Sequence, residues 1–129
     1  MKKMMCMAVL LCVLVFGSTM TASAEWRSSG KNYTGDSEVF WDTDTVYSKG
    51  PNYLFFLCKL YNLSAQTCTV MDCEALNGEM VRIIKIRDYD ANGNKTYDSG
   101  PCVAVYPLEG TDWKEAYLAA RAYAQRNGL

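Results

Sequence analysis

Oxygen-bearing side chains at alternate positions form the most specific chemical pattern in the chain. Asp88, Asp90 and Asn92 stand two residues apart, and Gly93 follows them. This spacing fits positions 1, 3, 5 and 6 of an EF-hand calcium loop, but the twelfth position is Ser99 where a bidentate Glu is expected. The same residues are typical of a metal-free β-hairpin in which Asn92 and Gly93 form a type I′ turn. We predict the hairpin, with Asp88, Asp90 and Asn92 as the candidate ligands of a calcium-binding alternative.

Two carboxylates, Asp42 and Asp44, are the second place where side chains could act together. Residues two apart on a strand share a face, so the pair could supply a general acid and a general base. No nucleophile or electrophile stands beside them, and a polar turn has the same composition. The chain also has no histidine, which excludes a Ser-His-Asp triad and His-ligated metal sites. We therefore predict that the protein is not an enzyme, has no catalytic residues and needs no cofactor.

The beginning of the chain has the pattern of a cleaved secretory signal peptide. Lys2 and Lys3 precede the apolar run Met4–Phe16, and Ala22 and Ala24 place small residues at −3 and −1 of a cleavage site. This apolar run is too short to cross the ~30 Å hydrocarbon layer comfortably. We predict a signal peptide at residues 1–24 and export to the periplasm, the cell surface or the medium. No membrane span is expected after cleavage.

Four cysteines remain after the predicted cleavage, and an even number in an exported chain indicates two disulfides. They are Cys58, Cys68, Cys73 and Cys102. In one extended segment Cys68 and Cys73 would lie about 16 Å apart at ~3.3 Å per residue, too far for a bridge. The pairings left are Cys58–Cys68 with Cys73–Cys102, or Cys58–Cys73 with Cys68–Cys102. A three-residue loop at 62–64 would set Cys58 opposite Cys68, which favours the first pairing.

The elements that would position these groups are short apolar runs separated by Gly, Pro and Asn turns. Strands are predicted over residues 39–41, which resume at 46–47 after an interruption, and over residues 53–61, 66–74, 80–87, 95–98 and 102–106. Residues 25–37 are polar and are expected to be loose except at Trp26. Near the end, Asp112 and Glu115 have the spacing of a capping box, and Trp, Tyr and Ala residues follow at helical spacing. This pattern predicts a C-terminal amphipathic helix.

The predicted fold is one α+β domain over residues 25–129, with an antiparallel sheet of five or six strands packed against the C-terminal helix. These residues include 11 basic and 14 acidic side chains, so no basic excess indicates a nucleic-acid partner. An unpaired edge strand could join two copies into a homodimer.

The aromatic residues at strand spacing are expected in the core, whereas exposed aromatics on one face would mark a protein-binding patch. They are Trp41, Tyr47, Tyr53, Phe55 and Phe56.

Several of these features, taken in order, resemble the bacterial surface-adhesin protein E family. They are Trp26 just after the cleavage site, the stretch Val39–Tyr47, the Lys49-Gly50 turn, the aromatic strand ending in Lys59, the segment Met71–Cys73 and the hairpin Tyr89–Gly93. Val39–Tyr47 is similar to the family's aromatic–Asp–x–x–Ser–Ile stretch, although Thr45 and Val46 stand in place of its Ser-Ile pair. The likeness covers residues 26 to about 113. Lipid anchoring, present in some relatives, has no matching motif here.

The resemblance implies an antiparallel sheet packed with a helix, export to the envelope, and attachment to host matrix proteins. No binding residue of the family can be placed on this chain. We therefore expect residues 25–129 to form a single surface-adhesin E-like domain, a non-enzymatic binding module whose partner is a host matrix protein or an envelope component. Two alternatives stay open: a small calcium-stabilised structural domain, and a secreted enzyme or inhibitor.

Overall fold

The fold is known from a computed structural model that describes residues 25–129, so the predicted signal peptide lies outside the described residues. Its elements are β1 (Trp26–Lys31), β2 (Ser37–Asp42), β3 (Tyr47–Ser48), β4 (Tyr53–Asn62), β5 (Cys68–Leu76), β6 (Met80–Tyr89), β7 (Lys95–Asp98), β8 (Ala104–Pro107) and α1 (Lys114–Arg126). All the strand pairs are antiparallel. The predicted α+β class is confirmed, with eight strands across residues 25–129 where five or six were expected.

The sheet follows the order β1-β2-β4-β5-β6-β7, with β3 beside β4 and β8 beside β6. Tight turns join its central strands, because a hairpin is the shortest connection between antiparallel neighbours. Between β5 and β6, both Asn77 and Gly78 have positive φ angles, 57° and 69°. A type I′ turn needs positive φ at both central residues. The strands at the ends of the sheet leave edges for the predicted homodimer, which stays a prediction.

The two faces of the sheet differ in what lies against them. Leu54, Phe56 and Cys58 alternate along β4 and point into the core, where Tyr117 and other residues of α1 pack. We call this side the covered face. On the opposite side, which we call the open face, the strand residues are mostly half-exposed and no helix of residues 25–129 lies over them. The open face includes Trp26, Glu38, Phe40, Tyr47, Tyr53, Phe55, Leu57, Lys59, Tyr61, Cys68, Val70, Asp72, Glu74, Arg82, Lys85 and Arg87.

The polar lead-in expected to be loose is instead the edge strand β1. Its backbone pairs with β2 from Trp26 to Lys31. The Arg27 guanidinium lies 5.3 Å from the ring centre of Tyr123 on α1 and 5.9 Å from that of Trp41. Backbone pairing and cation–π contact thus order a segment that has no apolar alternation.

The helix begins without the predicted capping box. It starts at Lys114, and its N-cap residue Trp113 makes no side-chain capping bond. The carboxylate of Asp112 accepts hydrogen bonds from the backbone N–H of Tyr33 (3.2 Å) and the amide of Asn32 (3.4 Å). Asp112 therefore connects the β1–β2 turn to the segment before α1, a long-range contact that local spacing does not reveal.

The hairpin at Asn92-Gly93 is present, but its predicted turn type is wrong. Of the turn residues only Gly93 has a positive φ, and its N–H donates to the carbonyl of Asp90 at 3.0 Å. The Asp90 carboxylate accepts the N–H groups of Asn92 and Asn94, both at 2.9 Å. This side-chain acceptor stabilises a wider loop than the two-residue type I′ turn.

Candidate functional site

Aromatic side chains are divided between the two faces of the sheet. Trp41 and Phe56 are buried on the covered face, as expected of core residues. Tyr47, Tyr53 and Phe55 lie on the open face, so their predicted place in the core is wrong. Their rings form a cluster in which the centre of Tyr47 is 5.9 Å from that of Tyr53 and 6.0 Å from that of Phe55. Both faces of β4 are apolar, so its sequence could not indicate which face the helix would cover.

Two lysines lie against aromatic rings of the open face. The Nζ atom of Lys59 is 4.5 Å from the ring centre of Trp26 and 5.0 Å from that of Phe40. The Nζ atom of Lys49 is 5.4 Å from the ring centre of Tyr53. Burial lowers the pKa of Lys59, although nearby negative groups act in the opposite direction. The open face therefore combines aromatic surface with ammonium groups, which the rings attract.

The acidic groups of the open face already have partners. Glu74 pairs with Arg82 at 2.7 Å and accepts a hydrogen bond from the Tyr53 hydroxyl, and Asp72 pairs with Arg87. Burial alone would raise the pKa of Glu74, but the Tyr53 hydroxyl and Arg82 together lower it. Asp72 and Glu74 are therefore neutralised within the face. Glu38 accepts a hydrogen bond from the Ser28 hydroxyl at 2.5 Å and has no cationic partner among residues 25–129.

Three basic groups on the open face or, for Lys49, in the turn beside it are not neutralised in this way. Among residues 25–129, Lys49, Lys59 and Lys85 form no ion pair. The residues that remain after the predicted cleavage carry a net acidic charge, since acidic side chains outnumber basic ones by three. The open face thus presents positive charge on an acidic protein.

The candidate calcium ligands have separate protein partners. Asp88 accepts a hydrogen bond from the hydroxyl of Thr69 at 2.6 Å, whereas Asp90 holds the hairpin loop. The described part of the chain contains no group of three or more His, Cys, Asp or Glu side chains placed to hold a metal ion. The calcium-binding alternative keeps Asp88, Asp90 and Asn92 as its candidates and gains no support from this arrangement.

Asp42 and Asp44 do not form the paired carboxylates that their spacing suggested. Asp42 is 1% exposed, and it accepts hydrogen bonds from the backbone N–H groups of Glu25 and Asp44, both at 3.0 Å, and from the Thr45 hydroxyl at 3.2 Å. Asp44 is exposed in the turn after β2. The rule for alternating strand residues fails here because the strand ends at Asp42.

The register of β4 and β5 contradicts the preferred cysteine pairing. Cys58 lies opposite Met71, and Cys68 lies opposite Tyr61. Cys58 and Cys68 are therefore three residues out of register and point to opposite faces, because side chains alternate along a strand. The loop between the strands is longer than the predicted three residues, since the N–H of Asn62 donates to the carbonyl of Thr67.

The predicted bridges to Cys102 also join cysteines that lie far apart. Cys73 is opposite Ile83 on β6, and the N–H of Cys102 donates to the carbonyl of Ile84 on the far side of that strand. Two strand spacings give about 9–10 Å between Cα atoms, beyond the ~7 Å limit for a disulfide. Cys68 is further away still, because it pairs near the other end of β6.

Cys58 and Cys73 are the remaining pair, and they share the covered face. Cys73 lies opposite Phe56, so it is two residues out of register with Cys58. Diagonal neighbours of this kind are about 7–8 Å apart, which is also longer than a disulfide spans. All four cysteines are free thiols in the structure.

The different burial of the cysteines predicts different thiol reactivity. Cys58 and Cys73 are fully buried, and burial raises the pKa of Cys58 to about 12 and that of Cys73 well above its usual value. We expect a disulfide-exchange reagent to label Cys68 and Cys102 in the folded protein and all four thiols after unfolding, because the thiolate is the reactive form. Peptide mass mapping would locate the labels. Labelling of Cys58 or Cys73 at the rate of Cys102 would contradict the described core.

Two surface depressions are lined by residues other than Lys49, Lys59 and Lys85. The larger, about 620 Å³, is lined by both charge signs, including Lys31, Glu109 and Asp112. The smaller, about 250 Å³, lies near the end of α1 beside Arg121. Neither is lined by Asp42 or Asp44, so the secreted-enzyme alternative, which requires those carboxylates in a cleft, gains no support.

Three comparisons with known proteins found no match to this chain. No protein-family model, curated protein or solved structure matches the chain. Within residues 25–129, no helix has the length and apolar character needed to cross a membrane.

Proposed function

We propose that this protein is an exported, non-enzymatic binding module, similar in role to the surface-adhesin protein E family. Its open face would attach to an acidic segment of a host matrix or envelope protein. The observation that carries the proposal is the presence of Lys49, Lys59 and Lys85, without ion-pair partners among residues 25–129, on or beside an aromatic face that no helix covers there.

The chemistry of the open face supports a protein partner. Aromatic residues supply large contact area at interfaces, and a polar surround sets orientation. Lysines that have no carboxylate partner attract acidic groups and speed association at low salt. An acidic polypeptide segment with apolar side chains would use both properties.

Reversing the charge of Lys85 tests this proposal. Because the variant places a like charge opposite Asp72, its fold is checked before binding is compared. Lys85 lies on β6 opposite Asp72 and forms neither an ion pair nor a ring contact among the described residues. We expect Lys85→Glu to weaken binding to immobilised poly-L-glutamate, and to any matrix protein that the wild type binds, by roughly tenfold, equivalent to about 1.4 kcal/mol. Purified collagen and fibronectin would serve as the first matrix proteins, measured by surface plasmon resonance in low and high salt.

The matched control is Arg126→Glu, which makes the same charge change in the last turn of α1, beyond the covered face. This variant should bind like the wild type to within about twofold. Circular dichroism would verify that both variants remain folded. Equal losses in Lys85→Glu and Arg126→Glu, or unchanged binding by Lys85→Glu, would contradict the open face as the binding surface. Absence of wild-type binding to poly-L-glutamate and to every matrix protein tested would contradict the proposed partner class.

A further inference from the structure

Asp42 is a buried carboxylate to which no cationic side chain of residues 25–129 is bonded. Within the residues that the structure describes, no Lys or Arg nitrogen lies within ion-pair distance of Asp42. A charged group this deeply buried is normally paired with an opposite charge. One of its three hydrogen-bond donors is the backbone nitrogen of Glu25, at 3.0 Å. That atom is the nitrogen of the bond that the leader sequence marks for cleavage.

Glu25 is held in place by contacts with residues that follow it. Its carbonyl accepts the backbone N–H of Thr43 at 3.0 Å, and its carboxylate pairs with Arg27 at 3.2 Å. Trp26 then enters β1 opposite Asp42. These contacts, all between residues of the described part of the chain, keep the Glu25 nitrogen beside the Asp42 carboxylate.

We propose that cleavage of the Ala24–Glu25 bond creates the counter-ion of Asp42, so that removal of the leader completes a partly buried ion pair and stabilises the mature fold. Hydrolysis consumes one water molecule: the C–N bond breaks, Ala24 leaves as a carboxylate, and Glu25 keeps a protonated α-amino group. The uncharged peptide N–H, one donor, becomes an ammonium with three donors at the same place. The new positive charge lies among Asp42, Asp44 and the Glu25 carboxylate, with Arg27 and Lys59 as the nearby cations.

The inference rests on the export included in the proposed function, but not on binding activity. A chain that is cleaved after Ala24 and binds no matrix protein would contradict the binding role alone. Intact mass and N-terminal sequencing of the exported chain report the cleavage position directly. Cleavage at any other bond would overturn the inference and leave the open-face proposal untouched.

Four proteins form a cycle that isolates the ion pair. The first is the processed chain beginning at Glu25, and the second begins at Ser23, which moves the ammonium two residues away. Each is compared with its Asp42→Asn variant. The shorter chain is a fair test because the described core lies entirely between Val39 and Ala124. We expect the processed chain to unfold at a temperature about 5 °C higher than the extended chain, and this difference to vanish between the two Asp42→Asn variants.

Equal midpoints for the two proteins that keep Asp42, or the same difference with and without the substitution, would overturn the proposal. If the Asp42→Asn variants do not fold, trace labelling of the α-amino group with acetic anhydride replaces the cycle. The amine at Glu25 should then react roughly tenfold more slowly than the amine at Ser23, since an ammonium paired with the Asp42 carboxylate holds its proton more tightly. Equal labelling rates would also overturn it.

Discussion

Replacing Phe56 by Ala is expected to lower the free energy of unfolding by about 3–5 kcal/mol. Phe56 is fully buried on the covered face, and its ring centre lies 6.3 Å from that of Tyr117 on α1. The substitution removes a large apolar side chain and leaves a cavity between sheet and helix. A domain of this size has about 5–15 kcal/mol of stability in total, so the variant would be close to unfolded. Urea titration followed by circular dichroism measures the loss.

Phe55→Ala is the matched control, because the same side chain is removed one residue away on the opposite face. Phe55 is only half-buried beside Tyr47, so its loss should cost roughly 1 kcal/mol. The effects on binding should be the opposite of the effects on stability. Phe55→Ala should weaken binding to poly-L-glutamate or matrix protein, whereas Phe56→Ala should retain binding under conditions where it is folded. Similar stability losses for the two variants would contradict the assignment of the covered and open faces.

The second large effect is expected from Asp42→Ala, at about 3 kcal/mol of stability. Alanine would remove the acceptor for three donors at once: two backbone N–H groups and the Thr45 hydroxyl. Buried donors that lose their partner keep the full cost of their desolvation. The turn after β2 and the attachment of β1 would both weaken. Thermal unfolding gives the magnitude, and amide hydrogen exchange in β1 shows where protection is lost.

Asp44→Ala serves as the control for this prediction, since Asp44 is exposed and, among residues 25–129, its carboxylate accepts only the neighbouring Thr43 hydroxyl. Its effect should stay within about 0.5 kcal/mol, as for most surface substitutions. Should Asp44→Ala destabilise the protein as much as Asp42→Ala, the two carboxylates would share one structural role, which the described geometry does not allow.

The positions of the long strands and of the helix were predictable from local patterns. The apolar run from Tyr53 to Tyr61 corresponds to β4, and β7 spans the predicted 95–98. Turn residues bound these segments because Gly, Pro and Asn adopt backbone angles that interrupt a strand. The α+β class followed from that order of elements. β1 was missed because its stability comes from pairing with β2 and from Arg27, not from apolar alternation.

The cysteine and carboxylate sites depended on information that local spacing does not contain. The register of β4 and β5 is set by a loop in which Asn62 accepts the N–H groups of Ser64 and Ala65 and Gln66 adopts a φ of 61°. The positive φ of a non-glycine residue such as Gln66 cannot be predicted from its residue type. One loop conformation therefore decided which cysteines face the core.

The sequence by itself determined where the chain alternates and where it turns. Only the tertiary structure decided which face of the sheet α1 covers, and hence which aromatics are core and which belong to the open face. The physical reason is that β4 is apolar on both sides, so packing against either side would bury comparable surface. Long-range contacts also joined Glu25 to Asp42 and Asn32 to Asp112, residues whose proximity no local pattern specifies.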